Sequence, residues 1–346
     1  MSNPEKIEKI NLFGKTKVDL NSELSSYNFP SFTSTQIAEW MYIRKLTDFS
    51  EMTNIPEKIR KQLNDTYQIL TSQPVDTATS SDGTKKYLFH ITKNRFIETA
   101  LIPEKDRSTL CISSQVGCKM GCSFCMTSKQ GYQANLTSGE IINQLHSIPE
   151  SSSVKNIVFM GMGEPMDNLD EVLKSIEIFI HYYNISYKKI TVSTIGLLSQ
   201  IKRYLEFSKS PLAISLHSPF NEERGKLMPI EKTNPVEEII RFIRNLRIDK
   251  QQRISFEYIL FDGLNDTPEH IKGLTKLLHG LKCRVNLIKY HSLPNSVLKS
   301  PQQEKMIWFR NSLTRKGLFT TIRKSRGQDI QAACGLLSTL KQAKKK

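Results

Sequence analysis

Cys118, Cys122 and Cys125 form a CxxxCxxC run inside GCKMGCSFCM. Thiolates at this spacing are metal ligands, yet a closed tetrahedral four-cysteine site needs one more. A 4Fe-4S cluster held by three thiolates keeps one iron open, and an open iron can chelate a small molecule and pass it an electron. The motif alone leaves two other readings open: a zinc site completed by a distant Cys or His, and three unligated thiols.

The neighbouring segments bear on that choice. IETALIPEKDRSTLCISSQVGCKMGCSFC (Ile97–Cys125), NLTSGEII (Asn135–Ile142), GMGEP (Gly161–Pro165), STIG (Ser193–Gly196), SLHSP (Ser215–Pro219) and AACG (Ala332–Gly335) follow one another along the chain. Together they resemble the radical S-adenosylmethionine superfamily, and within it the rRNA adenine methyltransferases that modify carbon 2 or carbon 8 of one adenosine. The N-terminal QIAEWMYIRKLTDFSEMTNIPEKIR resembles that family's accessory segment, so the resemblance covers nearly the whole chain.

The resemblance implies roles for particular residues. Cys118, Cys122 and Cys125 would hold the cluster. Gly163 and Glu164 would meet the amino group of S-adenosylmethionine, with Ser193, Ser215, Leu216 and His217 lining the rest of its pocket. Where the family has Asn, in a strand end reading WNP or YNP, this chain has His291 in KYHSLP, whose ring nitrogen can still face the ribose or adenine. Cys334 matches the methyl-carrying cysteine, Cys111 its resolving partner and Glu98 the proton acceptor. Cys283, in the strand-like LKCRVNL, reads as a small apolar residue without a chemical role.

Adenine carbon 2 is electron-poor and does not attack a sulfonium methyl group, so polar transfer should fail and a radical route is needed. In the family's scheme one S-adenosylmethionine methylates Cys334 and a second, reductively cleaved at the open iron, yields a 5'-deoxyadenosyl radical that activates the methyl. The thiomethylene radical adds to adenine, Glu98 removes the ring proton, and Cys111 releases the product through a transient disulfide. STIG and SLHSPFNEERGKLMPI resemble the carbon-8 enzymes associated with antibiotic resistance. RKSRGQDIQAACG and the N-terminal segment resemble the carbon-2 enzymes, so carbon 2 of an adenosine in 23S rRNA is the first expectation, with tRNA or another RNA as alternatives. A different class of protein, an RNA-binding module with a decayed metal site, predicts loss of the reactive residues. All three cluster cysteines, Cys111, Cys334 and Glu98 are present.

Composition agrees with an RNA partner. The 346-residue chain carries a formal net charge of +15, which favours a polyanion through counterion release from phosphates. Basic residues gather at Lys58, Arg60 and Lys61, at Lys188 and Lys189, at Arg241, Arg244 and Arg247, at Arg323, Lys324 and Arg326, and in the tail Lys344, Lys345 and Lys346. Six cysteines in a chain of this length, three of them in a metal-type cluster, point to a reducing compartment, and no apolar run approaches the roughly 18 residues of a membrane span. The expectation is a cytoplasmic monomer served by a flavodoxin-type electron donor.

The elements that must position these residues follow from hydrophobic patterning. Residues 1–80 read as a small helical accessory domain contacting RNA, with FPSFTST as a loop before a helix from Gln36 to Arg44. The polar TATSSDGTKK leads into KYLFHI and RFIETALI, a β-hairpin linker over 81–110. From Cys111 to the C-terminus, strand and helix alternate, which predicts an α/β catalytic domain built as a partial (β/α)6 TIM-like barrel. Its active residues belong at the carboxyl ends of the strands.

Overall fold

The computed structural model describes residues 9–27, 29–246, 253–293 and 296–339; Arg247 and the lysine tail lie outside them. Its centre is a ten-stranded sheet. In chain order the strands are β1 (Asp76–Thr79), β2 (Lys85–His90), β3 (Phe96–Pro103), β4 (Ser108–Cys111), β5 (Val154–Phe159), β6 (Ile190–Thr194), β7 (Leu212–Ser215), β8 (Ile254–Leu260), β9 (Cys283–Lys289) and β10 (Thr320–Ile322). They lie side by side in sequence order. The strands β4 to β10 are parallel, while β1 to β3 continue the sheet antiparallel from β4.

Six crossover helices connect the parallel strands: α1 (Ser138–His146), α2 (Leu169–Tyr182), α3 (Leu198–Phe207), α4 (Val236–Asn245), α5 (Pro268–Leu278) and α6 (Gln303–Arg315). This is the six-unit α/β architecture expected from the alternation, closed by one more strand, β10. Strands covered on both faces are apolar almost throughout, as in ISFEYIL of β8, where six of seven residues are buried. Helices instead present one stripe: α4 buries Val236, Ile239, Ile240 and Ile243, the i, i+3, i+4, i+7 positions of one face. Thr137 and Glu140 form a reciprocal capping box that starts α1 directly after the cluster loop.

The polar segment before the hairpin is itself a strand: Asp76–Thr79 pairs with β2 at the sheet edge. Its solvent-facing threonines read as a loop because an edge strand needs no apolar face. Near the N-terminus, helix Thr33–Ala38 begins inside FPSFTST and runs into a π-helical turn at Glu39–Ile43. Ile10–Asn11 pairs in parallel with Tyr67–Gln68, a tie too short to show periodicity. This region shares one apolar core with the barrel. Tyr42 receives the Gly14 N–H at 3.0 Å and donates to the Lys15 carbonyl at 2.8 Å, while Ser138 at the start of α1 donates to the Gly14 carbonyl at 2.8 Å. Among the described residues no helix is long and apolar enough to cross a membrane.

Candidate active site

Cys111 ends β4, and the chain then forms a loop pinned by Gln115–Val116 pairing with Ala134–Asn135. Cys118, Cys122 and Cys125 lie on this loop, which closes into the short helix Met126–Gln130. All three line a cavity of about 200 Å³ over the carboxyl ends of β4 to β9. Burial pushes the Cys118 thiol up to about 12 and Cys122 well above its ordinary value, so both are neutral until a cation draws off the proton. Among the described residues no three His, Cys, Asp or Glu side chains form a set that would grip one metal ion. A multi-iron cluster does not require that, because each thiolate takes a different iron. Three thiols around one cavity, with the cavity continuing past them, fit such a group.

The GMGEP loop follows β5 and lies against the cluster loop. Gly163 has φ +99°, and a Cβ there would sit 2.5 Å from the Gln115 Cβ and 2.7 Å from its nitrogen. Only glycine lets the two loops approach this closely. Gln115 then cements the contact, accepting the Glu164 N–H at 2.9 Å and donating to Asp167 at 2.8 Å. Glu164 is buried, and its carboxylate receives the N–H groups of Met166 at 3.0 Å and Ile195 at 2.8 Å. Burial nevertheless dominates and pushes the carboxyl up to about 7. A ligand ammonium placed here would reverse that balance.

Ser193, Ser215 and His217 line the same cavity. His217 sits at φ +57°, a left-handed conformation unusual outside glycine. Its Nδ1 accepts the Ile259 N–H at 3.0 Å, which leaves the proton on Nε2. Burial, helped by Arg224, holds its pKa down at about 3, so the ring is neutral. His291 also borders the cavity and is buried, with Nε2 3.0 Å from the Ser325 hydroxyl. Burial and the Lys289 ammonium hold its pKa below the ordinary value. Leu216 differs: it is fully buried beneath the strand end, and its backbone carbonyl accepts from Arg224 at 3.1 Å.

Cys111 and Cys334, 223 positions apart by number, border one cavity together with the cluster cysteines. Cys111 is buried and Cys334 exposed. Burial pushes the Cys111 thiol up to about 12, with Arg323 acting in the opposite direction. The segment bearing Cys334 is strapped down on both sides. The Gly327 N–H donates to Asp82 at 3.0 Å and the Ser81 N–H to Asp329 at 3.1 Å, tying it to the hairpin. Met126 N–H donates to the Gly335 carbonyl at 2.8 Å and Thr127 to the Leu337 carbonyl at 2.7 Å, tying it to the cluster helix. Glu98 shares the face of Cys111, since Cys111 pairs with Ala100 and Glu98 is two residues along β3. It is 2% exposed, lies off the cavity lining and accepts the Ser338 N–H at 2.8 Å.

Two charged residues of the site look like ordinary surface cations in the sequence. Arg224, in the charge-rich NEERGK, is fully buried. It donates to the carbonyls of Leu216 at 3.1 Å, Ile195 at 2.8 Å and Ser215 at 2.9 Å and pairs with Glu231. It thereby ties together the ends of β6 and β7. Arg323, grouped by sequence with the surface cations, enters the cavity, where it lies 3.5 Å from Glu257 and 2.8 Å from the Met160 sulfur. Neither residue carries a local sequence signal, because only the fold turns it inward.

A parallel βα barrel whose first barrel strand feeds a three-cysteine loop at the carboxyl ends, faced by a glycine loop and a buried carboxylate, is the framework of a radical S-adenosylmethionine enzyme. Residues 112–277 match the radical SAM superfamily model, and residues 10–69 match the ribosomal RNA large subunit methyltransferase N-terminal domain. The chain is 50% identical over 338 residues to a probable dual-specificity RNA methyltransferase RlmN of Bacteroides thetaiotaomicron, covering 97% of this chain and 98% of the relative. It is 40% identical to the dual-specificity RNA methyltransferase RlmN of Nitratiruptor, covering 94% and 97%. A crystal structure of a radical SAM methyltransferase from Sphaerobacter thermophilus superposes with a TM-score of 0.86 at 36% identity, over 95% of this chain and 99% of that one. The chain belongs to the RlmN family of dual-specificity RNA methyltransferases.

Proposed function

We propose that this protein methylates carbon 2 of an adenosine in 23S rRNA, and of an adenosine in tRNA, through an S-methylcysteine on Cys334. The observation that carries the reading is the shared cavity: the three cluster thiols, Cys111 and Cys334 all border it, so methyl carrier, resolving thiol and radical source can act on one base. When bound, a 4Fe-4S cluster on Cys118, Cys122 and Cys125, with two S-adenosylmethionine molecules per turnover, supplies the methyl group and the radical chemistry.

The chain's own residues do the rest. Glu164, ionised by the ligand ammonium, holds the amino group beside Gly163, while Ser193, Ser215, His217 and His291 bound the remainder of the pocket and Leu216 supports it from below. Glu98 takes the proton from ring carbon 2 of the cross-linked adenine, the C–H electron pair staying in the ring and the unpaired electron of the radical adduct returning to the bound cluster. The Cys111 thiolate then attacks the Cys334 sulfur. An S–S bond forms, the C–S bond to the base breaks with its electron pair moving to carbon, and protonation completes the methyl group. A thiol reductant reopens the disulfide.

Residues 1–80 serve as the RNA-contacting accessory domain, 81–110 as the hairpin that brings Glu98, and 111–346 as the catalytic domain. The protein works as a cytoplasmic monomer with a flavodoxin-type electron donor. Reconstituted protein should convert rRNA fragments and tRNA to 2-methyladenosine products detectable by nucleoside mass spectrometry. Methylation at carbon 8 alone would overturn the assignment.

A further inference from the structure

Glu98 is held at both ends of its carboxylate, by two separate parts of the protein. Oε1 lies 2.9 Å from the ammonium of Lys86. Oε2 accepts the Ser338 N–H at 2.8 Å. The Lys86 contact comes from within the sheet: β2 pairs antiparallel with β3, with Leu88 opposite Glu98 and Lys86 opposite Ala100. Lys86 is thus the diagonal neighbour of Glu98 on one face, a separation that a long side chain spans. The same row continues through Ala100 to Cys111 and on to Val158. Lys86 and Glu98 side chains are 16% and 3% exposed, so the pair is largely withdrawn from water. An ammonium in contact offsets the cost of burying that carboxylate charge.

The second contact belongs to the segment that carries Cys334, and RNA must enter beside that segment. A base can accept a proton only within hydrogen-bond reach of it, so one carboxylate oxygen has to exchange the Ser338 N–H for the substrate while the other stays anchored. We propose that Lys86 is the positioning residue for proton removal, holding Oε1 of Glu98 on the hairpin while Oε2 is handed from Ser338 to carbon 2 of the adenine. This rests on the reading of Glu98 as the base. The ammonium does not itself move a proton; it fixes where the carboxylate points.

The test uses reconstituted holoenzyme and substrate RNA carrying hydrogen or deuterium at carbon 2 of the target adenosine. In Lys86→Met, release of methylated RNA should slow at least tenfold and the deuterium effect on that rate should grow, because proton removal becomes slower relative to the other steps. Methylation of Cys334, read by protein mass spectrometry, precedes this step and should be retained. Lys86→Arg restores a cation and should recover most of the rate and the original isotope effect. A wild-type rate and isotope effect in Lys86→Met would overturn the proposal, and so would loss of Cys334 methylation alongside the rate, which would mark Lys86 as a general support of the fold. Glu98→Gln separates the two claims. If it methylates RNA at the wild-type rate, Glu98 is not the base; if it is blocked while Lys86→Met behaves as wild type, only the positioning role fails.

Discussion

Replacing Arg224 with Met removes a guanidinium that is fully buried but leaves most of its volume filled. Three carbonyls, of Ile195, Ser215 and Leu216, each lose a donor, Leu216 keeping the Ser218 N–H at 2.7 Å, and Glu231, 4% exposed, loses its cation. Among the described residues Glu231 keeps only the Val236 N–H, 3.1 Å from each oxygen. Removing one partner of a buried ion pair costs about 3–5 kcal/mol, because the remaining charge has no counterion. The lost donations to these carbonyls place Arg224→Met at the upper end of that range. The damage is also local to the cavity, since those carbonyls belong to the ends of β6 and β7 that carry Ser193 and Ser215. Anaerobic urea unfolding followed by far-UV circular dichroism should show the midpoint fall, and calorimetric titration should show weaker S-adenosylmethionine binding. The double variant Arg224→Met/Glu231→Leu should recover part of the loss, as no unpaired charge remains. A loss below about 1 kcal/mol, or a double variant no better than the single, would refute the argument that Arg224 is a structural tie between the two strand ends.

Further outcomes are open to measurement. Gly163→Ala forces a Cβ to 2.5 Å from Gln115 in a positive-φ conformation, and a cost of roughly 1–3 kcal/mol from backbone strain alone should appear as reduced stability and lost cofactor binding; wild-type cofactor affinity would contradict the fit between the two loops. His217, with its pKa held at about 3, should stay neutral with its proton on Nε2 from pH 5 to 8, read by nitrogen-15 NMR of labelled protein. The unfolded chain binds a proton at this histidine as pH drops through about 6.5 and the native chain does not, so its contribution to stability is full above that value and declines toward pH 3; a ring titrating near 6.5 in the folded protein would show that it is not buried. RNA affinity should fall steeply with salt, the logarithmic slope gaining roughly −0.7 to −0.9 per phosphate contact, whereas a flat response would remove the charge of +15 from the argument.

Much of the site was legible because its chemistry is local in sequence. Three cysteines within eight residues, GMGEP and the strand ends STIG and SLHSP each keep their geometry within a few residues of one another. The barrel was legible because strands buried on both faces become short apolar runs and helices covering them keep a single stripe. Contacts made across the chain could not be read this way. Arg224 looks like a surface charge in a polar helix until the strand ends close over it. The tether from Glu98 to Ser338 joins residues 240 positions apart. Leu216 sits among pocket residues in sequence, yet one residue past the end of β7 it is fully buried and off the cavity lining. The edge strand Asp76–Thr79 was obscured for the opposite reason, its polar residues facing water.

The central claim is that Cys334 carries the methyl group and Cys111 resolves the adduct within one cavity, and trapping distinguishes the two thiols most directly. Reconstituted Cys111→Ala, given S-adenosylmethionine, reductant and substrate RNA, should still methylate Cys334 and join to the base, with no thiolate left to break the carbon–sulfur link. A denaturing gel should show a slowly migrating, nuclease-sensitive band in Cys111→Ala that is absent from Cys334→Ala and from the double variant. A band in Cys334→Ala, or in none of the three, would contradict the account.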